Sequence, residues 1–181
     1  MSDHTTIPRN APLEERPLIG SRAARYVFAV TRISIGWVFL WAFFDKLLGL
    51  GFATPAEAAW INGASPTEGF LTNAVSGPFA GAFGSIAGTF WADPLFMAGL
   101  LGIGAALVLG VGERIAAATG ALMMVLMWAA VLPLETNPFM DDHLVYALVL
   151  VGLACVRSAR TLGLGRWWGS TALVRRFPAL R

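Results

Sequence analysis

"NPFMDDHLVYALVLVGLACVR", residues 137–157, decides how many times this chain crosses a membrane. From Leu144 to Val156 it is apolar and carries no charge, yet it opens on Asp141, Asp142 and His143. At about 1.5 Å per residue a helix from Asp142 to Arg157 is roughly 22 Å long, against a hydrocarbon core of about 30 Å. Arg157 can snorkel, so the shortfall falls on the acidic end, which is expected slightly below the membrane surface. Tyr146, at i+3 from His143 and i+4 from Asp142, shares their face. Two readings stay open. The acids cap the helix and complement its dipole, or Asp141, Asp142, His143 and Tyr146 form a proton-handling site at membrane depth.

Three longer apolar runs stand upstream: "YVFAVTRISIGWVFLWAFF" (26–44), "PLFMAGLLGIGAALVLGVG" (94–112) and "IAAATGALMMVLMWAAVLPL" (115–134). Each has about the 20 residues needed to cross a bilayer. The 181 residues are 56% hydrophobic and only 13% charged, where a soluble domain carries about a quarter charged residues. Mean hydropathy is +0.65. The expectation is an all-α integral membrane protein, a four-helix transmembrane bundle with spans near 26–48, 94–112, 114–134 and 140–158.

Charge sets the expected orientation. Arg9, Arg16, Arg22 and Arg25 precede the first span, Arg114 sits between the second and third, and Arg157, Arg160, Arg166, Arg175, Arg176 and Arg181 follow the last. Residues 51–93 and 134–142 contain no lysine or arginine but hold Glu57, Glu68, Asp93, Glu135, Asp141 and Asp142. The positive-inside rule then places both termini in the cytoplasm of a multi-pass cell-membrane protein. Residues 1–24 read as a disordered cytoplasmic tail without the apolar core of a signal peptide. Residues 25–165 form the membrane domain, and 166–181 a basic cytoplasmic tail. The basic excess is topological and gives no case for nucleic-acid binding. Cys155, the lone cysteine, excludes an internal disulfide.

The long connection contains "PFAGAFGSIAGTFW" (78–91), with Phe79, Phe83, Ile86 and Phe90 on one helical face and Gly77, Gly81, Gly84 and Gly88 on the opposite one. This predicts an interfacial helix whose glycine face presses on another helix.

In the first span Arg25 and Lys46 mark the two surfaces, about 31 Å apart, and Arg32 lies roughly 10 Å inside. Arg32 either snorkels or holds a carboxylate or carbonyl in its planar fork. Arg32, Gly36, Phe43 and Lys46 share one face, and Trp37, Trp41 and Asp45 the other. Asp45, Lys46, Asp141, Asp142, His143 and Tyr146 are expected to form an outer polar cluster. One membrane histidine without a paired ligand spacing predicts no metal centre. No nucleotide fingerprint, nucleophile elbow or haem histidine pair is present, so a redox or proton-coupled role would need a cofactor the chain does not encode, and a lipid-soluble quinone fits the location.

The pieces "RISIGWVFLWAFFDKLLG", "INGASPTEGFL", "GPFAGAFGSIAGTFWAD", "GLLGIGAALVLGVGERIAA" and "NPFMDDHLVYALVL", in this order across residues 25–165, resemble the DoxX/DoxD family of small bacterial and archaeal membrane proteins. That family takes its name from a subunit of thiosulfate:quinone oxidoreductase. The resemblance implies a quinone-linked oxidoreductase subunit working with a membrane or peripheral redox complex, and it supplies no catalytic residue set. On the residues themselves, Asp142, His143, Asp141 and Tyr146 are the proton-handling candidates, and Arg32, Trp41, Asp45 and Lys46 the quinone-binding ones. The alternative is a non-catalytic anchor or accessory subunit of a respiratory or redox complex. A small transporter ranks third, because no span is broken at mid-membrane.

Overall fold

The computed structural model describes residues 19–73, 75–135 and 137–180. Residues 1–18 of the expected N-terminal tail, and Arg181, lie outside this range. The described residues are helical and loop, with no strand among them. Helix α1 spans Arg22–Leu48, with the Ser21 side chain accepting a hydrogen bond from the Ala24 N–H. Two short helices follow, α2 (Glu68–Asn73) and α3 (Ala80–Gly84), and then the long α4 (Ala92–Leu109), α5 (Glu113–Ala130) and α6 (Asp142–Val156). The chain closes with α7 (Gly165–Ser170) and α8 (Ala172–Arg176).

Helices α1, α4 and α5 are long and apolar enough to cross a membrane; α6, with 15 residues, is apolar but shorter. Large apolar side chains face outward on all of them, among them Val30 and Trp37, Leu95 and Leu101, Leu122 and Leu126, and Leu148 and Val151. Water penalises such a surface, and a bilayer does not.

Helix α1 packs on α4, α4 on α5 and α5 on α6, with α6 also touching α1. Their shared core holds Ile35, Phe39, Met97, Leu100, Ile103, Leu107 and Leu150. The α1–α4 crossing is set by two glycines. A Cβ on Gly104 would lie 2.9 Å from the Gly36 carbonyl oxygen and from the Leu40 nitrogen, and one on Gly36 would lie 2.9 Å from the Leu107 Cβ. Backbone meets backbone there, as small residues permit between membrane helices.

The interfacial helix expected at 78–91 is mostly absent. A 3-10 turn at Gly77–Phe79 leads into α3, which stops at Gly84 after five residues. Its glycine face touches no other helix: a Cβ on Gly81 or Gly84 would meet nothing within 4 Å. Three glycines at about 1 kcal/mol each against alanine outweigh the apolar periodicity, and Gly88 takes φ 70, outside the helical region. The segment is anchored at its start instead, where Ser76 Oγ donates to the Leu132 carbonyl beyond α5.

The C-terminal tail is folded. The Leu164 N–H donates to the Leu109 carbonyl at 2.8 Å, Trp168 Nε1 donates to the Leu180 carbonyl at 2.6 Å, and Val174 is fully buried. The tail thereby covers the turn between α4 and α5.

Candidate functional site

Chain direction sorts the polar side chains into two ends. The start of α1, the α4–α5 turn, the end of α6 and the tail form a basic end. The end of α1, the starts of α4 and α6 and the long loop form an acidic end.

At the basic end Arg32 is completely buried. Nη1 donates to the Leu107 carbonyl at 2.6 Å, and Nη2 to the Leu162 carbonyl at 2.7 Å and the Thr161 carbonyl at 3.4 Å. Leu107 lies in the last turn of α4, whose carbonyls lack helical partners and carry the negative end of the dipole. One planar fork thus ties α1 to α4 and to the segment after α6; only Nε is left without a partner. Gly110, at φ 71, makes this possible, since a Cβ there would stand 2.5 Å from Nη1. Glu113, 5% exposed, is the second tie. Its carboxylate accepts from Ser158 Oγ and from the Ala159 N–H at 3.1 Å. The fork reading of Arg32 is the one seen, with backbone carbonyls as its acceptors. Its side chain straps three elements together and is not among the residues lining the two cavities described below.

At the acidic end Asp45 is buried and accepts the Ala53 N–H at 3.1 Å and the Phe52 N–H at 3.3 Å, closing the loop after α1. Trp41 packs edge-on against Phe52 in the same loop. Asp93 accepts from Ser65 Oγ, Thr67 Oγ1 and the Thr67 N–H, fastening the loop to the start of α4. Asp141 is the N-cap of α6: Oδ1 accepts the Leu144 N–H at 3.1 Å, and Oδ2 lies 2.7 Å from His143 Nδ1. Asp142 is mostly exposed, with Oδ1 at 3.5 Å from the same nitrogen. One ligand atom from each of Asp141, Asp142 and His143 falls within 4.8 Å of the others, so these three could share a cation or a proton. Tyr146 packs against the hydrophobic core. The capping reading of Asp141 is therefore realised, and it coexists with the close carboxylate–imidazole contact.

Between the ends runs a lateral groove of about 840 Å³ on the outward side of α4 and α5. Its floor includes Gly99, Gly102 and Ala106 of α4 and Ile115, Thr119 and Met123 of α5. It extends from Phe70 and Phe83 near the acidic end to Trp168 and Leu180 at the basic one. Lys46 is the one charged residue among those described that line it. No α6 residue is among its lining, so Asp141, Asp142, His143 and Tyr146 lie outside it. Of the expected outer cluster, Lys46 lines the groove, Asp45 clasps a loop and Asp141 caps a helix.

No family model, curated protein or solved structure matches this chain. Glu113 and Ser158 were not singled out from the sequence. The available signal was an acid at the first turn of a span, preceded by a two-glycine turn and sited at the membrane end opposite the other acids.

Proposed function

We propose that this chain is a multi-pass cell-membrane protein that holds a quinone-class molecule in the α4–α5 groove as an accessory subunit of a redox complex. The groove carries the reading. Its volume suits a small hydrophobic ligand, its walls are apolar, and it follows two membrane-length helices. Lys46 stands where an ammonium could donate to a ring carbonyl, while the apolar floor receives an isoprenoid tail. The resemblance to the DoxX/DoxD family points to the same ligand. Holding is favoured over catalysis because the proton-handling candidates lie on α6, off the groove, and Arg32, Asp45 and Glu113 are engaged by protein groups. When bound, the quinone supplies the electron-accepting chemistry, and the electrons come from a partner protein. The four-span arrangement, with both termini cytoplasmic, rests on the arginine asymmetry and on α6 turning Leu148 and Val151 outward.

The test is solvent extraction of protein purified in mild detergent, with quinone quantified per chain. Gly102→Phe fills the groove from a position where a new side chain meets nothing within 4 Å, and it is expected to strip most of the quinone from a folded protein. Lys46→Met is expected to weaken retention by about tenfold, the loss of one charged hydrogen bond. Wild-type protein without quinone, or an unchanged content in Gly102→Phe, overturns the reading.

A further inference from the structure

A second cavity, of about 350 Å³, opens at the basic end. Arg114, Arg157, Arg160 and Arg166 line it, together with Trp168 and Ser170. Glu113 also borders it, but its carboxylate is turned to Ser158 and Ala159 and is nearly buried. Four arginines thus border the cavity, and the one carboxylate among its described lining residues is already satisfied from within. It lies beside the first residues of α5, a helix whose N-terminus has no side-chain cap, so unpartnered N–H groups and the positive dipole end add to the field.

Arg157 gives an independent indication. It ends α6 in the left-handed conformation, φ 55 and ψ 51, where glycine is the unstrained choice. An arginine kept there trades backbone ease for a side chain in the cavity, and such outliers gather at ligand sites. Arg166 is oriented too, its Nε donating to the Arg160 carbonyl at 3.1 Å.

The surroundings are those of a membrane surface. The cavity lies where α5 begins and α6 ends, and next to it the tail exposes Leu162, Leu164, Trp167 and Leu173. Apolar and tryptophan side chains beside arginines are the pattern of a segment lying in the headgroup region. Basic pockets at that level, between membrane helices, take acidic lipid headgroups. We propose that this cavity is a binding site for the phosphate of an anionic phospholipid, whose acyl chains descend along the exposed faces of α5 and α6. The planar guanidinium fork matches phosphate oxygens in pairs. Trp168 lines both this cavity and the α4–α5 groove, and the proposal does not depend on what the groove holds.

The experiment is native mass spectrometry of the full chain in detergent, titrated with phosphatidylglycerol and, separately, with phosphatidylcholine. Three proteins are compared: wild type, Arg114→Gln/Arg160→Gln in the cavity, and Arg175→Gln/Arg176→Gln outside it. All four positions are exposed, and circular dichroism checks that each variant is folded. The wild type is expected to retain phosphatidylglycerol over phosphatidylcholine. The cavity pair is expected to lose about tenfold or more in that affinity, from roughly 1 kcal/mol per arginine near the surface. The outside pair should keep the preference. Equal retention of both lipids, or equal loss in the two paired variants, overturns the site in favour of diffuse attraction. Inorganic phosphate at millimolar concentration is the second arm. Failure to displace the lipid supports the assignment, and displacement overturns it in favour of a soluble phosphate compound.

Discussion

The basic and acidic ends of this molecule are built from the same few residue types, and they use them differently. At the basic end Arg32 and Glu113 reach across elements, from α1 to α4 and from α5 to the segment after α6. At the acidic end Asp45 and Asp141 accept N–H groups within eight residues of themselves, and the longer reach of Asp93 to Ser65 and Thr67 fastens a loop rather than a second long helix. A long-range tie fixes how helices sit against one another; a local cap fixes only where one helix starts or one loop turns. Polar residues at membrane depth are functional candidates by default, and here most of them hold the architecture. The difference teaches that depth alone does not identify a site; the partner of the side chain does.

The largest expected effect follows from that contrast. Arg32→Ala leaves the buried Leu107 carbonyl and the half-buried Thr161 and Leu162 carbonyls without their donor. The cost is expected to be on the order of 3–5 kcal/mol, as for other broken buried charge contacts, seen as a steep loss of folded protein by thermal unfolding in detergent. A variant that accumulates normally with an unchanged midpoint would erase the distinction between the ends.

Next in size is the apolar part of the same α1–α4 junction. Gly104→Leu forces a side chain against the Gly36 carbonyl and the Leu40 nitrogen, neither of which can step aside. A loss of about 1–3 kcal/mol is expected from overpacking, measured by the same unfolding assay. Gly102→Leu, two residues away on the opposite face of α4 and facing open space, should be close to neutral.

The smallest effect belongs to the acidic end. Asp141→Asn keeps a capping oxygen for the Leu144 N–H and should cost a few tenths of a kcal/mol, whereas Asp141→Ala should cost about 1 kcal/mol. A loss in Asp141→Asn as large as in Asp141→Ala would show that the carboxylate contact with His143, rather than the cap, holds this helix start.

The elements themselves were largely legible in the sequence. Uninterrupted apolar runs announce α1, α4 and α5 within a few residues of their ends, because membrane length is written directly into composition. The fourth run was legible as a helix, with Asp141 as one reading of its cap. What escaped were features whose partners are backbone. The depth of Arg32 was readable, but the carbonyls of Leu107 and Leu162 are invisible in a sequence, since every residue has one. Glu113 escaped for a related reason: an acid in a first turn already suits the helix dipole, and nothing ties it to Ser158 until the tail folds back. The stretch 78–91 failed in the opposite direction. Its periodicity was real, but glycine's backbone freedom broke the helix that the periodicity described. The lateral groove was not read from the sequence: its floor of Gly99, Gly102 and Ala106 consists of small residues, which a sequence does not tell apart from helix-contact positions such as Gly104.

The most direct test of the contrast between the two ends is the unfolding midpoint of Arg32→Lys in detergent, set beside that of Asp141→Asn. Lysine keeps the charge, but its three N–H groups radiate from one nitrogen, whereas Arg32 serves the two elements from two separate nitrogens of a planar fork. The account predicts that Arg32→Lys loses roughly 2 kcal/mol, the equivalent of one charged hydrogen bond, while Asp141→Asn stays within a few tenths of wild type. Equal midpoints for Arg32→Lys and wild type, or a greater loss in Asp141→Asn, would contradict it.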